Sequence, residues 1–212
     1  MSTRRNEPGE VVYILDDDEQ LCSSLAWLLG SVHINAECFT EAASFLSAID
    51  PERPACLVLD VRMPHTGGFQ VQEILNRMGS LLPVVFVSAH GDVRMSVRAM
   101  QQGAVDFLEK PYDPQHMLEV VQNALHKARE LHAERAGQRV LEARLAVLTP
   151  RELEILRLVV EGVPSKNIAG RLGISVKTVD VHRAHIREKT EAQTLGALVA
   201  DVLRYGLRLS AS

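Results

Sequence analysis

The chain has 212 residues, enough for one or two domains that bury their own cores without cross-links. Apolar residues make up 46% and charged residues 24%, usage that excludes a disordered chain, and the longest oily run, LLPVVFVSA, is broken by Pro83 and too short to cross a bilayer. The net charge of −4 hides an asymmetry: residues 1–126 carry 8 basic against 17 acidic side chains, residues 127–148 carry 5 against 3, and residues 149–212 carry 10 against 7. An acidic front and a mildly basic back point to two modules with different partners, a polyanion being a candidate for the second.

The opening MSTRRNEPGE lacks the apolar stretch of a signal peptide, and the three cysteines, Cys22, Cys38 and Cys56, are odd in number and sit in apolar surroundings. Reduced core thiols in a cytoplasmic protein without membrane association are therefore expected. Five short apolar runs follow: VVYIL (11–15), HINAECF (33–39), CLVLD (56–60), PVVFVSA (83–89) and AVDFLEK (104–110). The first, third and fourth are continuous, as in strands covered on both faces. Stripes at helical spacing separate them: Leu21, Leu25, Leu28 and Leu29; Ala42, Phe45, Leu46 and Ile49; Phe69, Val71, Ile74, Leu75 and Met78; Val93, Val97 and Met100; then Met117, Leu118, Val121 and Leu125. This alternation predicts an α/β fold with a doubly wound parallel sheet of five strands, whose sites form beyond the carboxyl ends of the strands.

Residues 126–148 are rich in Ala, Arg, Glu and Leu and read as the last helix of the first module running on into a helical linker, with Gly137 as a soft spot. Beyond it no strand-like run occurs. Apolar spacing predicts four helices near 150–161, 165–171, 175–189 and 194–205, capped at Thr149, Ser165 and Ser175. The domains are expected at 1–126, 127–147 for the linker, and 148–212.

The strand ends carry a coherent set of side chains. Asp16 and Asp17 close the first strand, Asp60 the third and Ser88 the fourth, and Lys110 follows the fifth. Taken singly, each is as easily a solvated surface group. Together they offer hard oxygen ligands of the kind that suit Mg²⁺ (or Mn²⁺), while Asp18 and Glu19 suit the start of the next helix, where negative charge meets the helix dipole. A carboxylate attacking a phosphoryl group must overcome repulsion between anions, and a divalent ion with a lysine neutralises that charge.

The motifs DD, VLDVRMP, VSAHGD and DFLEKPY resemble the flavodoxin-like receiver domain of bacterial response regulators over residues 8–126. The resemblance implies that Asp60 accepts a phosphoryl group from a sensor histidine kinase, and that Asp16, Asp17 and Asp60 hold Mg²⁺ with the Arg62 backbone carbonyl. It also implies that Ser88 and Lys110 bind the phosphoryl oxygens, and that Phe107 turns inward as Ser88 moves. His90, Gly91 and Asp92 are then the moving loop.

In the back half, LTPRELEILRLVVEGVPSKNIAGRLGISVKTVDVHRAHIREKT is similar to the helix-turn-helix domain of LuxR-type regulators, and TVDVHRA points to the FixJ-type branch. At about 100° per residue, Val179 and Ile186 share the core side of the third helix, leaving Lys177, Asp180, Val181 and Ala184 on the opposite face as candidates for DNA base edges. Lys166, His182, Arg183, Arg187 and Lys189 flank that face and suit phosphates. The chain departs from the usual family pattern at Thr190 and Glu191, where Leu followed by Gly or Asn is common, so looser packing is expected there. His182 and His185 have metal-ligand spacing, but the sequence shows no third ligand, which argues against a metal there.

The resemblance as a whole implies a phosphorylation-controlled transcription regulator that dimerises, binds double-stranded DNA with paired half-sites and meets the transcription machinery. A phosphatase using an aspartate nucleophile has the same ingredients in another order, with the nucleophile before the acidic pair. A dinucleotide-binding enzyme lacks its glycine-rich turn. A switch acting only on protein partners would keep the first site and drop DNA.

Overall fold

The computed structural model describes residues 9–89 and 93–209; the loop expected at His90, Gly91 and Asp92 lies outside the described residues. Two compact units divide between Ala133 and Glu134.

In the first unit, strands β1 (Val11–Leu15), β2 (Ala36–Phe39), β3 (Ala55–Asp60), β4 (Val84–Ser88) and β5 (Asp106–Glu109) form one parallel sheet in the order β2-β1-β3-β4-β5. Alternate residues feed two cores. Val12, Ile14, Val58 and Val85 pack with Leu25 and Leu29 of α1 (Glu19–Ser31) and with Met117 and Val121 of α5 (Pro114–Ala146). Val11, Tyr13, Leu57 and Phe86 pack with Phe45 of α2 (Ala42–Ala48), Val71 and Leu75 of α3 (Gly68–Arg77) and Ala99 of α4 (Val93–Gln101). A sheet covered on both faces explains why β1, β3 and β4 are apolar at every position; full burial of each large side chain stabilises by roughly 1.5–3 kcal/mol. Among the described residues, no helix is long and apolar enough to cross a membrane.

Two sequence expectations need correction. The second strand starts at Ala36 rather than at His33, because His33 takes a left-handed conformation (φ 63°) and the N–H groups of Val32, His33 and Ile34 return to carbonyls of Leu29 and Gly30 to close α1. The α4 stripe is not core: Val93, Val97 and Met100 are 79%, 48% and 51% exposed, and the helix meets the sheet through Ala99 with Met95 partly buried.

In the second unit, α6 (Pro150–Val160), α7 (Ser165–Leu172), α8 (Val176–Lys189) and α9 (Leu195–Arg204) surround a core of Ile155, Leu156, Ile168, Val179, Ile186, Leu198 and Val202. Leu141 and Leu145 of α5 are buried in that same core, and Gly137 lies within continuous helix where an added side chain would collide with the Tyr205 hydroxyl. Gly137 therefore serves close approach. Thr149 and Ser175 cap α6 and α8 through their side chains, whereas Ser165 is already helical and Pro164 holds the cap position. Gly173, at φ 65°, lets the chain turn from α7 into α8.

Glu152 anchors this unit. It is buried, its Oε2 accepts from the Thr149 N–H and hydroxyl at 2.8 Å each, and Lys189 Nζ donates to the same oxygen at 2.8 Å. Burial alone would raise its pKa, but the lysine and threonine hydrogen bonds outweigh that and bring it from 4.5 to about 2. Thr190, fully buried, donates its hydroxyl to the Ile186 carbonyl at 2.7 Å, so that end is closed rather than loose. Glu191 follows in a left-handed conformation, φ 53°.

A depressed carboxylate contributes stability above its unfolded pKa and loses it as pH falls through the folded one, so the second unit should weaken progressively below about pH 5. Glu152→Gln should remove that acid dependence and cost about 1–3 kcal/mol in denaturant melts at neutral pH. Glu191→Gly should stabilise by about 0.5–1 kcal/mol, since glycine relieves a left-handed conformation but adds unfolded-state entropy.

Candidate functional sites

Neighbouring strand ends assemble the first site. Asp16 follows β1, Asp60 closes β3 and Ser88 closes β4, three adjacent strands, and Lys110 follows β5. Asp16 and Asp60 are each 5% exposed and Ser88 1%, because they end fully buried runs. Lys110 Nζ lies 2.5 Å from Asp16 Oδ2 and 2.6 Å from Asp60 Oδ1, so one ammonium spans both carboxylates. Their other oxygens accept backbone N–H groups, Asp18 to Asp16 Oδ1 at 3.0 Å and Arg62 to Asp60 Oδ2 at 2.6 Å. The Lys110 N–H donates to the Ser88 carbonyl at 2.8 Å and fixes where the lysine leaves the sheet.

Burial pushes the Asp60 carboxyl above its ordinary range despite the Lys110 hydrogen bond. Burial would lower Lys110, yet the two carboxylates overcome it and hold the ammonium above its ordinary range. An ammonium with two acceptors this close keeps its proton at neutral pH.

Asp17 is exposed and, among the described residues, does not join Asp16 and Asp60 in a cluster whose ligand atoms all lie within 4.8 Å. Asp18 caps α1, its Oδ1 accepting from Gln20 and Leu21 N–H at 2.9 and 3.2 Å, and Glu19 opens the helix, so the four acids of VVYILDDDEQ divide between a site and a helix start. Phe107 is partly buried, its ring 6.5 Å from that of Phe86. Gly68 escaped sequence reasoning: any side chain there would strike the Asp60 carbonyl and crowd the Phe86 ring, and its only signal was the paired Gly67-Gly68.

On the second unit, Val179 and Ile186 are fully buried, which turns Lys177, Asp180, Val181, Ala184 and Arg187 outward with Lys166 of α7. His182 and Arg183 are half-buried. Ser165 ties the two helices together: its hydroxyl donates to Asp180 Oδ1 at 3.2 Å and accepts from the Arg183 guanidinium at 2.9 Å. Sequence spacing had marked Ser165 as a cap only. Lys189, expected to meet phosphates, is exposed and pairs with Glu152.

Comparison with known proteins agrees with this geometry. The response regulator receiver domain family matches residues 12–122, and the bacterial regulatory proteins of the luxR family match residues 146–200. Similar relatives are the transcriptional regulatory protein TdiR of Thauera aromatica, 40% identical across 96% of this chain and 90% of its own length, and the response regulator protein TodT of Pseudomonas putida, 36% identical across 92% and 86%. The transcriptional regulatory protein FixJ of Azorhizobium caulinodans is 38% identical across 92% of this chain and 93% of its own. Among solved structures, response regulator StyR aligns with TM-score 0.80 and 40% identity over 93% of this chain and all of that one. Full-length FixJ from B. japonicum aligns with TM-score 0.56 and 33% identity over 96% and 100%. A receiver whose acidic strand ends share a lysine, joined to a LuxR-type helix-turn-helix, places this chain among the two-component response regulators of the FixJ and TodT type that regulate transcription.

Proposed function

We propose that Asp60 is the phosphoryl acceptor, and the observation that carries this is the lysine shared between Asp16 and Asp60. An oxygen of Asp60 forms the new O–P bond as the P–N bond of a kinase phosphohistidine breaks, and the departing imidazole takes a proton. Lys110 already faces the oxygen where anionic charge accumulates, and Ser88 stands at the next strand end to hydrogen-bond the transferred oxygens. The buried carboxylates of Asp16 and Asp60, which already share one cation, suit Mg²⁺; the carbonyl of Arg62, a residue whose N–H is fixed on Asp60, would add a donor, and exposed Asp17 would have to turn in to complete the set. When bound, the ion neutralises the attacking and transferring oxygens. The protein acts as a regulator in the cytoplasm, and its own phosphoryl transfer and hydrolysis are its only chemistry.

Phosphorylation then favours a receiver homodimer. The exposed Val93, Val97 and Met100 of α4 supply an apolar surface next to β5, and Phe107 on β5 packs against Phe86 in the same core. Pairing two receivers sets two α8 helices on paired half-sites, where Asp180, Val181, Ala184 and Lys177 meet base edges, and Lys166, His182, Arg183 and Arg187 meet phosphates. Contact with the transcription machinery follows from promoter binding.

The decisive experiment treats wild type and Asp60→Asn with a small-molecule phosphodonor and Mg²⁺, then measures acid-stable and hydroxylamine-labile phosphate, mass in solution and DNA selection. Wild type should gain one labile phosphate, dimerise and select paired sites; equal labelling of Asp60→Asn would overturn the assignment. Val97→Lys should keep labelling and lose dimerisation. Lys166→Ala should flatten the slope of log affinity against log salt by about one without changing sequence preference, whereas Asp180→Asn should change preference.

A further inference from the structure

Three polar side chains of the second unit converge where α8 meets α6, one of them, His185, exposed. Glu152 of α6 and His182 and His185 of α8 each present one ligand atom, and the three atoms lie within 4.8 Å of one another. The imidazoles are one helical turn apart, and the packing of α8 on α6 brings the carboxylate beside them. The third donor that the sequence could not show comes from the first turn of α6.

Two features make this more than proximity. Glu152 is held in place by its bonds to Thr149 and Lys189, so one ligand is preset. His182 Nδ1 is buried and, among the described residues, has no hydrogen-bond partner. An orphaned buried nitrogen costs about 1–3 kcal/mol, so the His182 ring is not fully satisfied by the protein around it.

We propose that Glu152, His182 and His185 bind a divalent transition-metal ion of the Zn²⁺ class, with water in the fourth position. Two imidazoles and a carboxylate suit Zn²⁺, whereas Mg²⁺ prefers oxygen ligands alone. Tetrahedral donors stand about 3.3 Å apart at zinc bond lengths, so the ligands must draw in slightly, and exposed His185 is free to turn. The ion meets a resident competitor, Lys189, 2.8 Å from Glu152 Oε2. Repulsion expels the ammonium while the Thr149 bonds stay, which frees Lys189, already on the surface of α8, from its carboxylate partner as a cation available to DNA phosphates. Metal occupancy thereby adds positive charge beside the reading face.

The test uses the untagged full-length chain in saturating Mg²⁺, titrated with Zn²⁺ by calorimetry and with Co²⁺ by visible absorption. One ion per chain should bind, with intense tetrahedral Co²⁺ bands. His185→Ala, altering an exposed side chain, should lose affinity at least about tenfold, and Cys22→Ser with Cys38→Ser should change nothing. Unchanged Zn²⁺ affinity in His185→Ala, loss in the cysteine variant, or a weak octahedral Co²⁺ spectrum would each overturn the site. None of these outcomes alters Asp60 labelling, so this proposal and the phosphoryl assignment fail separately.

Discussion

A single ammonium held between two buried carboxylates sets the terms for the first unit. Two anions at neighbouring strand ends repel, and burial makes the charge on Asp60 costlier, pushing its carboxyl above the ordinary range. Lys110 offsets both by bonding Asp16 and Asp60 together, and the sheet order that places β1 beside β3 makes the arrangement possible. The consequence is a locally strained charge balance, two negative charges against one positive, that a further cation or a change in the charge on Asp60 perturbs directly. Gly68 contributes by omission, since a side chain there would push α3 off the Asp60 backbone.

The second unit has a comparable anchor of opposite sign. Glu152 is a buried acid satisfied by the start of its own helix and by Lys189 from the end of α8, so one carboxylate joins a helix cap to the far end of the reading helix. Ser165 does the same job on the outer side, linking α7 to Asp180 and Arg183. Together they fix the rotation of α8 about its axis, which decides which side chains can reach a groove. Polar groups with all their partners in place specify one packing where apolar contacts alone tolerate several.

The α4 helix shows what a stripe at helical spacing does and does not establish. Val93, Val97 and Met100 share a face, but so do Met95 and Ala99 on another, and the sheet took the side with the smaller residue. An apolar face left to water carries a solvation cost in the lone protein, which is lowered when a second surface covers it.

The order of strands and helices was legible in the sequence because a parallel sheet covered on both faces demands unbroken apolar runs, and helices demand a period near 3.6. So was the meeting of Asp16, Asp60 and Lys110 with Ser88 at the adjoining strand end, since strand ends in such sheets meet at one edge. The core side of α8 was equally clear from Val179 and Ile186. What remained hidden depended on partners distant in sequence: Lys189 paired with Glu152, Ser165 bridging helices, Glu152 beside two histidines, and the rotation of α4. Periodicity reports which residues share a face. Only tertiary packing decides what that face, or a long charged side chain on it, will touch.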